Sequence, residues 1–347
     1  MYPYWLLFAY FAAGALNETP RRSVSSGSNT LLVVGALLIA LLIGLRYEVG
    51  ADWQTYEFMF AYARRTDIGR ALEIGDPGYQ LLNWGVQNLG GEMWLVNLVC
   101  GILFAWGLIR FAQVQSSPWL AVLVAVPYMV VVVAMGYSRQ AVALGILMAG
   151  LASMKRNGSV LRFLAYVAAA ALFHKTAVVA FPLVALASRR NRTINIFVAV
   201  TASILLYDMF LGDSMQQFVD NYIEAEYSSQ GAAIRVVMSL VPAGIFFLFR
   251  DRFGFSLEER LMWRNFSLAA FGFLVLLLTL ASSTAVDRLA LYVMPLQLAV
   301  LSRVPGTIMK LTFGKLVILA YSFAVQFVWL NFAAHSEYWV PYRFYPL

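Results

Sequence analysis

The sequence predicts an all-α fold: a polytopic helical bundle in a lipid bilayer, with about twelve membrane-crossing helices (10–12) and short extracytoplasmic surface helices. Three observations predict it. Hydrophobic residues make up 61% of the 347 and charged residues only 12%, against about 25% charged in soluble domains. Apolar runs near the ~20 residues that cross a bilayer recur along the whole chain. Basic residues collect in alternate loops. No polar stretch is long enough for a separate soluble domain, so residues 1–347 read as a single polytopic domain.

In chain order the runs fall near 2–16, 30–45, 93–110, 118–136, 138–154, 160–173, 175–188, 193–210, 234–249, 265–282, 287–302 and 312–332. The first, "MYPYWLLFAYFAAGAL", has no basic leader and no small-residue cleavage site before Asn17, and is expected to be retained as a span anchored by Tyr and Trp. The runs at 138–154, 160–173 and 175–188 are short, which predicts that some of them are broken or re-entrant. Between the second and third runs, residues 46–92 predict two surface helices. Asp52 would cap "WQTYEFMFAYARR", and Asp76 with Pro77 would open "PGYQLLNWGVQNL". A second outer segment, 211–233, is acidic, with Asp213, Asp220, Glu224 and Glu226, and reads as a lid. On the opposite side Ser256 and Glu259 have capping-box spacing. There is no internal repeat and no low-complexity tract.

Charge sets the sidedness. With the first residue outside, sixteen of the 25 basic residues fall in inner loops beside four acidic ones, while the outer side holds nine basic and fourteen acidic. The positive-inside rule therefore places both termini outside. It also accounts for the net charge of +7 without nucleic acid, for which no basic stripe with interleaved aromatics exists. Nine basic residues defy the rule and need another reason: Arg46, Arg64, Arg65, Arg70, Arg139, Lys175, Arg235, Arg288 and Arg343. The lone cysteine, Cys100, sits in an apolar run, which leaves no disulfide framework and no thiolate cluster.

Four constellations lie where an apolar run meets the outer side. Arg46-x3-Gly50-x-Asp52-x3-Tyr56 follows the second run directly. Arg139 and Gln140 are the only strongly polar side chains between two long apolar runs, where a charge costs roughly 2.5–3.5 kcal/mol at mid-membrane and less near the interface. His174 and Lys175 stand in a hairpin otherwise free of charge, one able to exchange protons, the other to hold an anion. Asp287 and Arg288 start a run, and helical spacing would put Arg288 and Tyr292 on one face. Each has a structural reading too: an interfacial arginine, a snorkelling arginine in a tight turn, a hydrogen-bonded histidine, a local Asp287–Arg288 ion pair.

Clustered arginine forks bind phosphate oxygens, so the set suits a lipid-linked diphosphate whose tails stay in the bilayer. A carboxylate or histidine could take the proton of an acceptor hydroxyl while the cations stabilise the departing diphosphate. That chemistry is glycosyl transfer from a polyprenyl-diphosphate-linked sugar. Aromatics such as Trp53, Tyr56, Trp84, Trp94, Tyr137, Tyr338, Trp339, Tyr342 and Tyr345 could stack on sugar rings, although interfacial anchoring is their default role. His335 is the only other histidine, so a zinc site is not expected, nor any cofactor. Asp52, Glu48 and Asp76 are oxygen ligands of the kind a bridging cation would use, which keeps a metal-assisted variant open.

With these residues in place, the chain resembles the EpsG family of bacterial exopolysaccharide proteins, related in function to Wzy-type polymerases. The likeness rests on Arg46-x3-Gly50-x-Asp52-x3-Tyr56, the Pro77-Gly78-Tyr79 turn, Arg139-Gln140, His174-Lys175-Thr176 with Pro182, and Arg288-x3-Tyr292, in that order. The family commonly has Glu before the Pro-Gly-Tyr turn, whereas Asp76 stands here. The resemblance implies a multi-pass protein of the bacterial cytoplasmic membrane that joins lipid-linked oligosaccharide repeats into exopolysaccharide or O-antigen at the outer face, alongside other assembly proteins. On that reading Arg139, Arg288 and Arg46 bind the diphosphate, and Tyr56, Tyr79, Gln140, Lys175 and Tyr292 contact substrate. Asp52 is the first candidate base and His174 the second. A transporter of lipid-linked sugars would instead keep its charges at mid-membrane in broken helices, with pseudo-symmetric halves. A membrane acyltransferase using His174 would open to the cytoplasm.

Overall fold

The computed structural model describes residues 1–18, 30–73, 75–187, 192–208, 231–280 and 283–346. The expected lid falls outside them except for 231–233, as do Arg21, Arg22, Arg189 and Arg190. Helix makes up 79% of the structure, and the described residues contain no strand.

A helix of 20 residues is about 30 Å long, the thickness of a hydrocarbon core. Met93–Ala112, Ala232–Phe249, Leu257–Thr279 and Leu311–Phe332 meet that length with enough apolarity to cross a membrane. Ser283–Val293 with Pro295–Leu301 makes a fifth if the pair, bent by 44°, is one span. Helices also occupy the other expected runs, but Thr30–Gly44, Pro118–Ala134 and Val160–Ala171 are shorter. Length and composition thus establish four or five spans, and a number near twelve stays an expectation of the apolar pattern.

The chain divides into two compact units. The first comprises Met1–Ala149, Leu172–His174 and Lys315–Leu347. In it Thr30–Gly44 runs along Met93–Ala112, which crosses Ser138–Asn157 where two glycines meet. A Cβ on Gly107 would stand 1.8 Å from the Gly145 carbonyl oxygen, so only glycine allows this approach. The core is densest over 120–135, where every residue is buried. The sequence predicts one uninterrupted span there. Instead Pro118–Ala125 passes into a π-helical stretch, Val126–Ala134, beginning beside Pro127, whose missing N–H interrupts the α ladder. The widened turn leaves the Val131 carbonyl to accept the Trp339 indole N–H at 2.7 Å.

Residues 46–92 fold into three short helices, Trp53–Ala63, Ile68–Glu73 and Pro77–Asn88, not the expected two. The extra one starts at Asp67, whose carboxylate accepts the Arg70 N–H at 3.0 Å. That cap was legible in "TDIGR". The C-terminal segment returns over the end of Thr30–Gly44: Tyr47 N–H donates to Arg343 O (3.0 Å) and Tyr345 N–H to Leu45 O (2.8 Å).

The second unit comprises Gly150–Ala171 and Lys175–Gly314. Its centre is the hairpin of Ala232–Phe249 and Leu257–Thr279. The predicted capping box is present: Glu259 N–H donates to Ser256 Oγ (3.2 Å) and Ser256 N–H to Glu259 Oε2 (2.9 Å). The same carboxylate meets Lys155 at 3.0 Å. Breaks appear where short runs predict them, at Lys175–Val179, a 3-10 turn leading into Ala180–Ala185. The 44° bend falls at Pro295, the first residue of its helix, which cannot bond back into the preceding turn.

Candidate functional site around Arg139 and Arg46

In the first unit the chain leaves Thr30–Gly44 and turns sharply at 45–52 before Trp53–Ala63 begins. Arg46 organises that turn. Only 1% exposed, it donates from Nη1 to Ile43 O (2.5 Å), from Nε to Val49 O (3.2 Å), and from Nη2 to Asn97 Oδ1 (3.1 Å) and Ser138 Oγ (2.7 Å). Its fork therefore faces protein acceptors and ties the turn to two other helices. Gly50 is required for a related reason. Its φ is +107°, a Cβ would lie 2.4 Å from Met135 O, and its N–H donates to Tyr338 O at 2.9 Å. The glycine admits neighbouring backbone.

Asp52 holds the N-cap of Trp53–Ala63 and is half-buried, but its side chain makes no capping bond. The helix it opens has two faces. Tyr56 turns inward, 3% exposed, its ring 5.5 Å from that of Tyr79. Trp53, Gln54 and Glu57 line a surface cleft. Burial pushes both the Tyr56 and Tyr79 phenols above the ordinary tyrosine range, so both stay protonated.

Arg139 joins these groups. Its Nη1 donates to Asp76 Oδ2 at 2.8 Å, and its guanidinium carbon lies 6.0 Å from the Tyr56 ring centre. Asp76 sits at the expected N-cap, before Pro77, yet its side chain makes no capping bond and meets Arg139 instead. The Arg139 side chain is 20% exposed and that of Asp76 6%, while Arg139 Nε is buried with no hydrogen-bond partner. Gln140, beside it, is buried. Gly78 N–H donates to Leu172 O at 2.7 Å, which fastens the short 172–174 segment, with buried His174, to the Pro77-Gly78-Tyr79 turn.

Lys175, Arg288 and Tyr292 belong to the second unit. There Asp287 pairs with Arg235, both side chains about 95% buried, which links two helices. Leu291–Val293 is a 3-10 turn, which breaks the α spacing expected to align Arg288 with Tyr292. The Thr176 hydroxyl donates to Tyr292 Oη at 3.2 Å.

Among the described residues, carboxylates pair with four of the nine unexplained basic residues: Asp76 with Arg139, Asp287 with Arg235, Glu48 with Arg343, and Asp67 with exposed Arg70 at 3.9 Å. Sequence reading missed Asn97, Ser138 and the three long-range pairings, because partners 51 to 295 residues apart share no local pattern. One signal was available: Asp76 and Arg139 are charges of opposite sign that each stand beside an apolar run.

Fold and site together define a helical membrane protein whose buried arginines and carboxylates gather at helix ends. The chain belongs to the EpsG family, whose model matches residues 29–344. That membership places it among membrane proteins of exopolysaccharide biosynthesis. No curated protein and no solved structure gives a significant match.

Proposed function

We propose that the protein is a polysaccharide polymerase that joins polyprenyl-diphosphate-linked oligosaccharide repeats at the outer face of the bacterial cytoplasmic membrane. In this reaction an acceptor hydroxyl oxygen attacks the anomeric carbon of the donor. The carbon–oxygen bond to the diphosphate breaks with its electron pair leaving on phosphate, and a base takes the hydroxyl proton. The observation that carries the reading is Arg139: a partly exposed guanidinium paired with a carboxylate and keeping one buried donor, Nε, unfilled. A phosphate oxygen matches the geometry of the Asp76 carboxylate, so an arriving diphosphate can exchange for it and fill the remaining donor. Asp52 is the first candidate base and His174 the second. Within the first unit Gln140 and Tyr79 would add substrate contacts and Arg46 would fix the turn that carries Asp52; Arg288, Lys175 and Tyr292 are the substrate contacts proposed for the second unit.

Polymer length in a deletion strain complemented with wild type, Arg139→Ala, Arg288→Ala, Asp52→Asn or His174→Gln, with the membrane level of each, tests the reading. Arg139→Ala and Arg288→Ala should accumulate single repeats at normal protein level, and so should one of the two base variants. Normal polymer from both arginine variants would refute the diphosphate clamp. A second reading, transport of lipid-linked sugars, is favoured by the breaks at Lys175–Val179 and Pro295. Under it, every variant that fails would lack translocated repeats rather than accumulate them.

A further inference from the structure

The same turn that positions Asp52 also walls a cleft of about 480 Å³ against the C-terminal segment. Its chemistry differs from that around Arg139. The carboxylates of Glu48, Glu57 and Glu337 line it, together with the Gln54 amide, Trp53 and Tyr338; Arg343 supplies the single guanidinium and is paired with Glu48. Three carboxylates against one cation repel a diphosphate. Among the described residues, moreover, no three acidic, histidine or cysteine side chains are grouped closely enough to hold a metal ion. What suits dispersed carboxylates and an amide beside aromatic faces is a polyol, whose hydroxyls donate outward and whose C–H faces lie flat on rings.

From Trp53 the aromatic surface continues. The Trp53 and Tyr47 rings are 5.8 Å apart, Tyr47 and Tyr345 6.4 Å, and Tyr345 and Trp94 6.0 Å with nearly parallel planes. None of the four is fully buried, and the Tyr345 hydroxyl bonds the Glu92 carboxylate. An interfacial belt is the ordinary reason for such rings. Here they are interleaved with Glu48, Glu57 and Glu92, which anionic lipid headgroups would repel.

We infer that the cleft and the aromatic row leading from it form a binding track for the saccharide chain itself, taking uncharged or amino-bearing sugars and rejecting uronates and the diphosphate. The inference rests on the saccharide-handling reading above and gives the sugar portion of the substrate a place and a charge preference.

Saturation-transfer NMR on protein in nanodiscs free of glycoside detergent tests it directly, with cellotetraose, chitotetraose, the fully deacetylated glucosamine tetramer and tetragalacturonate as probes. At least one neutral or amino tetramer should bind wild type. Glu57→Gln with Glu337→Gln, and separately Trp53→Ala, should weaken that binding about tenfold or more at unchanged thermal midpoint. Tetragalacturonate should give no signal. The track is refuted if no neutral or amino tetramer binds at ~10 mM, a Kd beyond which ΔG is under about 3 kcal/mol. It is refuted equally if the cleft variants bind unchanged, or if tetragalacturonate binds as well as the neutral probes. Because the readout is binding without turnover, its failure leaves the polymer-length result at Arg139 standing, and failure there leaves the track standing.

Discussion

Replacing Arg46 and Arg139 each with lysine separates an arginine that holds the fold from one that meets substrate. Both changes keep the charge and remove the planar fork. At Arg46 the fork serves four acceptors, Ile43 O, Val49 O, Asn97 Oδ1 and Ser138 Oγ, in a site 1% exposed. A lysine ammonium has three donors on one nitrogen and cannot span both the carbonyls of the turn and the side chains of two other helices. Two acceptors left without partners at about 1–3 kcal/mol each give roughly 2–6 kcal/mol, against a typical stability of about 5–15 kcal/mol. Arg46→Lys should therefore lower the thermal midpoint strongly and reduce protein in the membrane. At Arg139 one contact to Asp76 carries the pair and the side chain is 20% exposed. Lysine can keep that contact without stranding the Asp76 carboxylate, so Arg139→Lys should lose less stability than Arg46→Lys while polymer collapses to single repeats. Fluorescence-detected size exclusion after a heating series, on membranes of matched strains, reads both. If Arg46→Lys is as stable as wild type yet makes no polymer, Arg46 meets substrate and its positioning role is wrong.

Three other outcomes follow from the same geometry. Arg235→Met should destabilise by about 3–5 kcal/mol because it strands the buried Asp287 carboxylate, whereas Arg235→Met combined with Asp287→Leu should recover most of that loss, read by thermal midpoints. Gly50→Ala should cost about 2–4 kcal/mol, since alanine is strained at φ +107° and its Cβ would overlap the Met135 carbonyl; unchanged stability would show that the turn is not held as described. The raised phenols of Tyr56 and Tyr79 contribute stability that is complete below the unfolded tyrosine value of about 10 and is lost only as pH rises beyond it. Thermal midpoints should accordingly show no tyrosine-dependent change between about pH 6 and 9, and Tyr56→Phe with Tyr79→Phe should flatten any fall above about 10.

Helix positions were legible because an apolar run needs only local spacing to declare itself, and caps such as Ser256–Glu259 lie within four residues. Breaks were legible where proline or short length marked them, as at 175–185, but the π-helical stretch at Val126–Ala134 was not, since Pro127 also fits an ordinary kink. Motif residues were found, yet their partners were not. Asp52 and Asp76 both read as caps, and neither side chain caps; Asp76 went to Arg139 because a buried guanidinium gains more from a carboxylate than a helix N-terminus loses. The pairing depends on tertiary contact over 63 residues, which no window of sequence contains.

Comparing Arg46, Arg235 and Arg139 supports the proposal that Arg139 is the one that binds a transient anion. Arg46 has every nitrogen engaged with protein acceptors that cannot leave. Arg235 meets Asp287 where both side chains are 4–5% exposed, so an incoming phosphate would have to enter a closed site. Arg139 alone of the three joins an exchangeable carboxylate partner to partial exposure and an unfilled buried donor. A resting pair with Asp76 removes most of the penalty of holding a cation in apolar surroundings. A diphosphate, carrying more charge than one carboxylate and offering more oxygens, gains a hydrogen bond on exchange rather than merely replacing one.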